Sequence, residues 1–226
     1  MLNTTDKNCS KILSIRISTD GFYFSTSSYT VHKAFVAGDA FAQLKTELEN
    51  FLRHQTGFDT LQVALETPKF SLFPSGFDGA EKAFAKMFAI ADGECLLRQF
   101  LPEFDAISLF AADADLCAYF RSRFPSVSFR HSLTDTFDRV LSVSDQSRRL
   151  FLDVYAHTVY AVVADGRRLV LANAFAFDSD EMFVYQVANL FAQFDLNQQE
   201  TEVFYSDFDM AKRKLKLLQK YIRNVR

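Results

Sequence analysis

Several residue types that mark particular protein classes are scarce or missing in this 226-residue chain. It has no tryptophan, 4 prolines, 7 glycines and 3 cysteines. Cys9, Cys95 and Cys117 lie far apart in the sequence and form no CxxC pair. Disulfide frameworks and zinc sites need paired or closely spaced cysteines, so the sequence predicts neither of them. We expect the cysteines to be small buried apolar residues.

Long hydrophobic runs are also missing. No stretch approaches the roughly 18 consecutive apolar residues of a membrane helix, so no integral membrane segment is predicted. Residues 1–10 (MLNTTDKNCS) lack the apolar core of a signal peptide. The sequence therefore predicts a cytoplasmic location.

An excess of basic residues is absent too. The chain has 25 Lys and Arg against 28 Asp and Glu, a net charge of -3. Proteins that bind nucleic acids neutralise phosphates with surplus basic side chains, so a nucleic-acid partner is not expected. Basic residues are dense only in residues 212–226. We expect this segment to be a helix that packs its leucines on the sheet and exposes its charges, although it could also contact an anionic surface or a partner helix.

The short motifs of several enzyme classes do not occur. There is no GxSxG, no GxxxxGK[ST] and no HExxH. The four histidines are scattered, and no two are four residues apart: His32, His54, His131 and His157. No metal site is predicted, because zinc ligands usually come in closely spaced pairs. We expect His131 and His157 to be hydrogen-bonded structural residues.

What the chain has in abundance is phenylalanine. With 26 Phe and 8 Tyr in a composition that is 49% hydrophobic, it can bury enough apolar surface to fold as a globular protein. We expect most of these rings to fill the core. A minority could line a groove between two halves of the molecule.

The order of predicted elements repeats. Three strands with period-two apolar runs, an amphipathic helix and a further strand occur twice in the same order, about 137 to 140 residues apart. In the first half the helix extends from an N-cap at Asp39 to Gly57, and in the second half it begins at residues 179–181. The sequence therefore predicts an internal duplication with β-β-β-α-β order.

Further elements are predicted between and after the repeats. Residues 106–111 and 127–131 are predicted strands, separated by a helix over 113–124 that is capped by Asp113 or Asp115. This alternation favours the parallel part of a mixed sheet. Asp113 and Asp115 could instead act as a pair of carboxylates in acid-base catalysis, but the sequence favours helix capping for both. Residues 70–79 are predicted as a loop, and 80–91, 133–141 and 210–223 as helices.

Three segments carry a resemblance to a known fold family: ILSIRISTDGFYFS, AISLFAADADLCAYFRSRFPSVSFRH and LFLDVYAHTVYAVVADGRRLVLANAFAFDSDEMFVY. They resemble a bacterial family of uncharacterised function with the actin-like ATPase (ribonuclease H-like) fold, distantly similar to actin-like proteins of type IV pilus assembly. The resemblance implies an α/β protein of two duplicated domains, each a mixed sheet with flanking helices. We expect these domains to span residues 1–145 and 146–226, the second being either shorter than the first or incomplete at its C-terminus.

The same resemblance implies where a nucleotide would bind. In active members a strand ends in an acidic residue and a glycine, and the following turn holds phosphate with backbone N–H groups. The matching residues here are Asp20 and Gly21 in the first half and Asp153 in the second. The second turn has no glycine, and a large Phe22 follows the first.

With so few glycines, the sequence favours a degenerate ATPase without a cofactor. We predict a non-catalytic scaffold or protein-interaction module with a protein partner, and homo-oligomers remain open. The alternative is an ATP-binding or ATP-hydrolysing protein that holds Mg-ATP between the domains through Asp20, Gly21 and Asp153. A sugar or small-acid kinase would need an acidic base in the cleft, and no residue stands out for that role.

Overall fold

The computed structural model of the chain describes residues 12–26, 28–36, 38–54, 58–143, 147–205 and 209–226. Twelve strands and six α-helices lie in these ranges. In chain order they are β1 (Ile12–Ser18), β2 (Gly21–Ser25), β3 (Thr30–Ala34), α1 (Ala40–His54), β4 (Thr60–Leu65), β5 (Phe70–Pro74), α2 (Ala80–Met87), β6 (Glu94–Leu101), β7 (Ala106–Asp113), α3 (Ala114–Arg123), β8 (Ser128–His131), α4 (Thr134–Ser142), β9 (Arg148–Val154), β10 (Thr158–Asp165), β11 (Arg168–Ala176), α5 (Asp180–Gln193), β12 (Glu202–Tyr205) and α6 (Asp209–Leu218).

The predicted duplication is present in the sheet topology. The first sheet has the order β3-β2-β1-β4-β8 and the second the order β11-β10-β9-β12. In each, two antiparallel pairings join the first three strands, and the fourth strand lies parallel to the first. A helix, α1 or α5, makes the crossover that parallel neighbours require. The predicted β-β-β-α-β order is therefore confirmed in both halves.

The predicted helix starts have local causes in the structure. The Asp39 carboxylate accepts the backbone N–H groups of Phe41 and Ala42 at 2.9 and 3.1 Å, which caps α1. Ser179 caps α5 in the same way, through the N–H of Met182. Asp113, one of the two predicted candidates, caps α3 by accepting the N–H of Leu116 at 2.7 Å. Gly57 and the predicted domain boundary at 145/146 lie outside the described residues.

Two predictions for the middle of the chain are wrong. Residues 70–74 form strand β5 rather than a loop, and they pair antiparallel with β7. Strand β7 pairs antiparallel with β6 as well, in a separate three-stranded sheet, and so it does not belong to the parallel part of the first sheet. The other predicted strand, β8, does belong to it, since it pairs parallel with β4. Strand β6 is missing from the sequence-based prediction. Its apolar residues do not alternate strictly, because both faces are partly covered: Leu97 belongs to the core of the first half, and the adjacent Leu96 packs against the separate core of Phe84.

The two inner strands of the second sheet, β9 and β10, are buried on both faces. One face of β9 and β10, with Phe151 and Tyr160, joins the core of the first half. The other face, with Leu152 and Val163, packs against α5 and α6. A strand that is covered on both sides carries a continuous apolar run, as β10 does with TVYAVVAD. The two halves therefore share one core across the cleft where the resemblance implies a ligand.

Candidate functional site

The turn between β1 and β2 holds the first pair of predicted site residues. The Ser18 hydroxyl donates to the Asp20 carboxylate, and the backbone carbonyl of Asp20 accepts the N–H of Phe35 at 3.2 Å. Both partners belong to the same half of the molecule. Asp20 therefore stabilises its own turn and the end of β3.

Gly21 is required by the neighbouring strand. Its φ of +155° is rarely adopted by residues with a side chain, and a Cβ atom here would lie 2.3 Å from the carbonyl oxygen of Lys33. Gly21 pairs with Ala34 in the ladder between β2 and β3. The space that a side chain would take at Gly21 is thus filled by the backbone of β3.

A carboxylate that the sequence did not reveal binds the backbone of the same turn. Glu66 follows β4, and its Oε2 accepts the N–H of Thr19 at 2.9 Å. Its Oε1 accepts the hydroxyl of Tyr160, on β10, at 2.6 Å. Glu66 therefore connects the first turn to the second sheet. Burial, followed by the charge of Glu66, raises the pKa of Tyr160 far above its usual range, so this hydroxyl stays a donor.

Asp153 lies near the end of β9 and is only 2% exposed. Its Oδ2 accepts the hydroxyl of Thr136, from the first turn of α4, at 2.8 Å. Buried carboxylates need hydrogen bonds or a counter-charge to remain ionised. Arg16, on β1, is a nearby positive charge, and the Asp153 carboxylate is one of the groups that raise the pKa of Arg16.

The guanidinium of Arg16 is at the centre of a polar cluster between the halves. It donates to the carbonyl of Ser132 at 2.7 Å and to Asp135 Oδ2 at 3.1 Å. Burial by itself lowers the pKa of Arg16, but Tyr155, Asp153 and Asp135 together raise it above its usual value. Arg16 therefore stays charged, and its positive charge is shared by carboxylates from both halves.

Aromatic residues close this region. Tyr155 and Tyr160 are buried with their ring centroids 5.6 Å apart, and burial raises the pKa of the Tyr155 hydroxyl well above its usual range. Next to them, His131 stacks on Phe70 at 4.4 Å. His131 Nδ1 accepts the N–H of Leu133, so the protonated Nε2 donates to the carbonyl of Thr67 at 3.0 Å. Burial lowers the pKa of His131 to about 4, which keeps it neutral.

The registers of the two hairpins show which residues are equivalent. Arg16 pairs with Tyr23 in the first hairpin, and Asp153 pairs with Tyr160 in the second. With the same offset of 137 residues, Ser18 corresponds to Tyr155, Asp20 to His157 and Gly21 to Thr158. The two predicted acidic residues, Asp20 and Asp153, are therefore not equivalent. Asp153 corresponds to a basic residue, Arg16, and the two contribute to one cluster.

A small pocket of about 250 Å³ lies beside the first turn and includes Thr19, Glu66, Glu94 and Asp113. Its carboxylates already have partners within the protein. Glu94 binds Lys69 Nζ at 2.7 Å, and this hydrogen bond lowers the pKa of Glu94. An acidic lining repels phosphate. In the described ranges, no group of three or more potential metal ligands is present.

The other residues singled out in the sequence are buried in the protein or form ion pairs. Cys117 is buried, and burial together with a hydrogen bond to Cys95 raises the pKa of its thiol to about 12. These two cysteines thus lie together although they are 22 positions apart; Cys9 lies outside the described residues.

Leu215, Leu218 and Ile222 of the basic C-terminal segment are buried against the second sheet, as predicted. Asp180 pairs with Lys214 from this segment.

No helix in the described ranges is long and apolar enough to cross a membrane. None of the curated proteins compared matches this chain in sequence. Among solved structures, the chain is similar to a protein of unknown function with the actin-like ATPase fold from Bacteroides thetaiotaomicron. The two are 20% identical, the match covers 100% of this chain and 93% of that one, and the TM-score is 0.77.

Two more distant structures support the same fold. The PilM-PilN type IV pilus biogenesis complex matches at 13% identity over 95% of this chain and 87% of that chain, with a TM-score of 0.56. The ethanolamine utilization protein EutJ from Carboxydothermus hydrogenoformans matches at 8% identity over 95% and 83%, with a TM-score of 0.51. The predicted α/β actin-like fold is therefore confirmed, and the match over residues 2–225 shows that the chain belongs to DUF3822, a family of proteins of unknown function.

Proposed function

We propose that this protein is a non-catalytic scaffold or protein-interaction module, built on an actin-like fold whose phosphate-binding turns are occupied by its own side chains. The observation that carries the proposal is the cluster of Arg16, Asp153, Thr136 and Asp135 between the halves. In this arrangement Asp153 has protein partners, whereas in a nucleotide site it would face magnesium or water.

The first turn supports the same proposal. Thr19 donates its N–H to Glu66, and the backbone of β3 fills the space beside Gly21. A phosphate at this turn would have to displace a carboxylate that is also bound to Tyr160. It would also approach Glu66 itself, and the repulsion between the two negative charges opposes binding.

The partner is proposed to be a protein. One distant relative of the fold is a component of the PilM-PilN complex, which shows that this fold occurs in a protein assembly. We also propose a cytoplasmic location and two domains divided at residues 145 and 146. Homo-oligomers are compatible with the same role.

Titration of the whole protein with Mg-ATP tests the proposal. We expect no heat of binding in isothermal titration calorimetry and no change in melting temperature at millimolar nucleotide, because a ligand that binds the native state raises its stability. Saturable binding at a 1:1 ratio that Asp153→Asn abolishes would instead establish the alternative, an actin-like protein that holds Mg-ATP through Asp20, Gly21 and Asp153. Asp115→Asn, at an exposed position of α3, is the matched control and should change nothing in either case.

A further inference from the structure

Two of the three cysteines meet in the core of the first half. Cys95 lies on β6, and Cys117 lies on α3. A hydrogen bond joins their two thiols. Cys117 is fully buried in this core, whereas Cys95 packs against the same core and is partly exposed. The structure thus places two thiols in contact, one of which can be reached from solvent.

The strand pattern explains why the two side chains face each other. Successive residues of a strand point to opposite faces of the sheet. Leu97, two residues after Cys95, belongs to the core of the first half, whereas Leu96 packs in the separate core around Phe84. Cys95 therefore points toward the core that contains Cys117. Cysteines whose side chains point apart cannot form a disulfide, and that obstacle does not apply to this pair.

Backbone contacts hold the two elements next to each other. Cys95 pairs with Ala112 in the ladder of β6 and β7. Helix α3 begins two residues after Ala112, and Cys117 is its fourth residue. The N–H of Ala114 donates to the carbonyl of Gly93, just before β6, at 2.8 Å. The backbone therefore brings the two thiols together, and they need no rearrangement of β6 or α3 to meet.

Helix α3 connects two sheets of the protein. It follows β7 of the three-stranded sheet and leads to β8 of the first sheet. It also contacts α1, where the rings of Tyr119 and Phe41 lie 5.7 Å apart. A bond between Cys95 and Cys117 would therefore tie β6 to the helix that joins the three-stranded sheet to the first sheet.

We propose that Cys95 and Cys117 form a redox site, in which a low-molecular-weight disulfide such as oxidised glutathione converts the two thiols into a reversible disulfide bond. This inference goes beyond the interaction role proposed above and does not depend on it. In a reducing cytoplasm such bonds are transient and respond to oxidants. While it lasts, the bond would stabilise the connection between the three-stranded sheet and the first sheet.

The order of reaction follows from burial. Burial and the hydrogen bond raise the pKa of Cys117 to about 12, so its thiol stays protonated. The thiolate is the nucleophile in disulfide exchange. The partly exposed Cys95 therefore reacts first, and the buried Cys117 reacts second.

The exchange has two steps. The thiolate of Cys95 attacks one sulfur of oxidised glutathione, so a mixed disulfide forms, and the departing glutathione thiolate takes up a proton. Cys117 then loses its proton, and its sulfur attacks the sulfur of Cys95, so the protein disulfide forms and a second glutathione thiol is released. Two cysteine thiols are thereby oxidised, and one glutathione disulfide is reduced to two thiols.

Peptide mapping of the folded protein tests the proposal. The reduced protein is incubated with oxidised glutathione, the remaining thiols are blocked with N-ethylmaleimide, and the product is digested with trypsin. Cleavage after Lys86, Arg98 and Arg121 separates the two cysteines into neighbouring peptides, residues 87–98 and 99–121. Mass spectrometry should show these peptides joined with the loss of two hydrogen atoms, and dithiothreitol should separate them.

Variants of the three cysteines test the role of each thiol. Cys9→Ser is the matched control and should form the same cross-link. Cys117→Ser should stop at the mixed disulfide of Cys95 with glutathione, because no second thiol displaces it. Cys95→Ser should leave Cys117 unmodified, because Cys117 is buried. The peptide map of the original protein remains decisive if Cys117→Ser does not fold.

Thermal unfolding measures the effect of the bond on the fold. The oxidised protein should melt about 5 to 10 °C higher than the reduced protein, because a cross-link restricts the unfolded chain. Cys117→Ser, treated with oxidised glutathione in the same way, should show no such rise. A lower melting temperature of the oxidised protein would contradict the claim that β6 and α3 already hold the thiols in position for the bond.

The proposal is overturned if Cys95 and Cys117 remain thiols at a concentration of oxidised glutathione that fully converts the urea-denatured protein. It is also overturned if the folded protein links Cys9 to either of them as readily as it links them to each other, because the fold would then not select the pair. Binding of Mg-ATP would contradict the non-catalytic role and leave these results unchanged, so the two failures can be told apart.

Discussion

The two halves of this protein have the same strand order but different residues at equivalent positions. Strand β1 of the first sheet has Arg16 at the position where strand β9 of the second sheet has Asp153. Two residues later along the chain, the first half has Ser18 and the second half has Tyr155. In the structure these differences are complementary. The positive charge of Arg16 in the first half stabilises the carboxylate of Asp153 in the second half, and the buried ring of Tyr155 lies beside them. Different residues at equivalent positions therefore form part of the interface between the two halves.

The largest expected effect comes from breaking the charge complementarity. Arg16→Met keeps much of the side-chain volume but leaves Asp153 buried without its counter-charge, which should reduce the free energy of unfolding by about 3 to 5 kcal/mol. Urea denaturation at pH 7 measures this change. Arg16→Met combined with Asp153→Asn should lose less than the sum of the single variants. Additive losses would contradict the coupling between the halves.

A smaller loss of stability is expected from substitutions in the two turns. Gly21→Ala places a Cβ against the carbonyl of Lys33 and strains a positive φ, which should cost about 2 to 3 kcal/mol. Thr158→Ala, at the equivalent position in the second half, should cost less than about 1 kcal/mol, since that backbone carries no positive φ. Thermal unfolding of both variants measures the two losses of stability. Equal losses would show that the close approach of β3 does not explain the glycine.

The effect that is smallest for each pH unit concerns His131, which lies between Phe70 and Tyr160 from different halves. Its pKa is about 4 in the folded protein and about 6.5 in the unfolded chain. Between these values the unfolded state binds a proton that the native state does not, so stability should fall by about 1.4 kcal/mol for each pH unit lost from pH 6.5 to pH 4. Above pH 6.5 and below pH 4 this residue contributes no slope.

Urea denaturation of the original protein and of His131→Phe from pH 4 to pH 8 isolates this contribution. The variant is expected to be less stable at pH 7, because Thr67 and Leu133 lose their hydrogen-bond partner. Its stability should depend less on pH in the acidic range. Identical pH profiles for the two proteins would contradict a neutral buried His131.

The sequence predicted the duplicated layout correctly because hydrophobic periodicity and turn residues are local signals. It failed for β5, where a proline and nearby glycines suggested a loop. Pro74 is tolerated in that strand because its position faces away from β7. Strand β6 was missed because an edge strand with mixed surroundings has no clean alternation.

The candidate site shows a similar division. Asp20, Gly21 and Asp153 are visible in the sequence because they stand at strand ends. Arg16, Glu66, Thr136 and Tyr160 are not, since they come from four distant parts of the chain and meet only through long-range packing. No spacing along the chain connects Glu66 with Tyr160, 94 residues away.

The sequence by itself determined the α/β class, the repeat of five elements and the scarcity of glycine at the turns, because these depend on residue type and short spacing. Only the tertiary structure decided that Gly21 makes room for β3, that Glu66 binds the first turn, and that Arg16 and Asp153 belong to one cluster. These features depend on side chains brought together across two sheets, and the energy of a buried charge is set by its neighbours in space rather than in sequence.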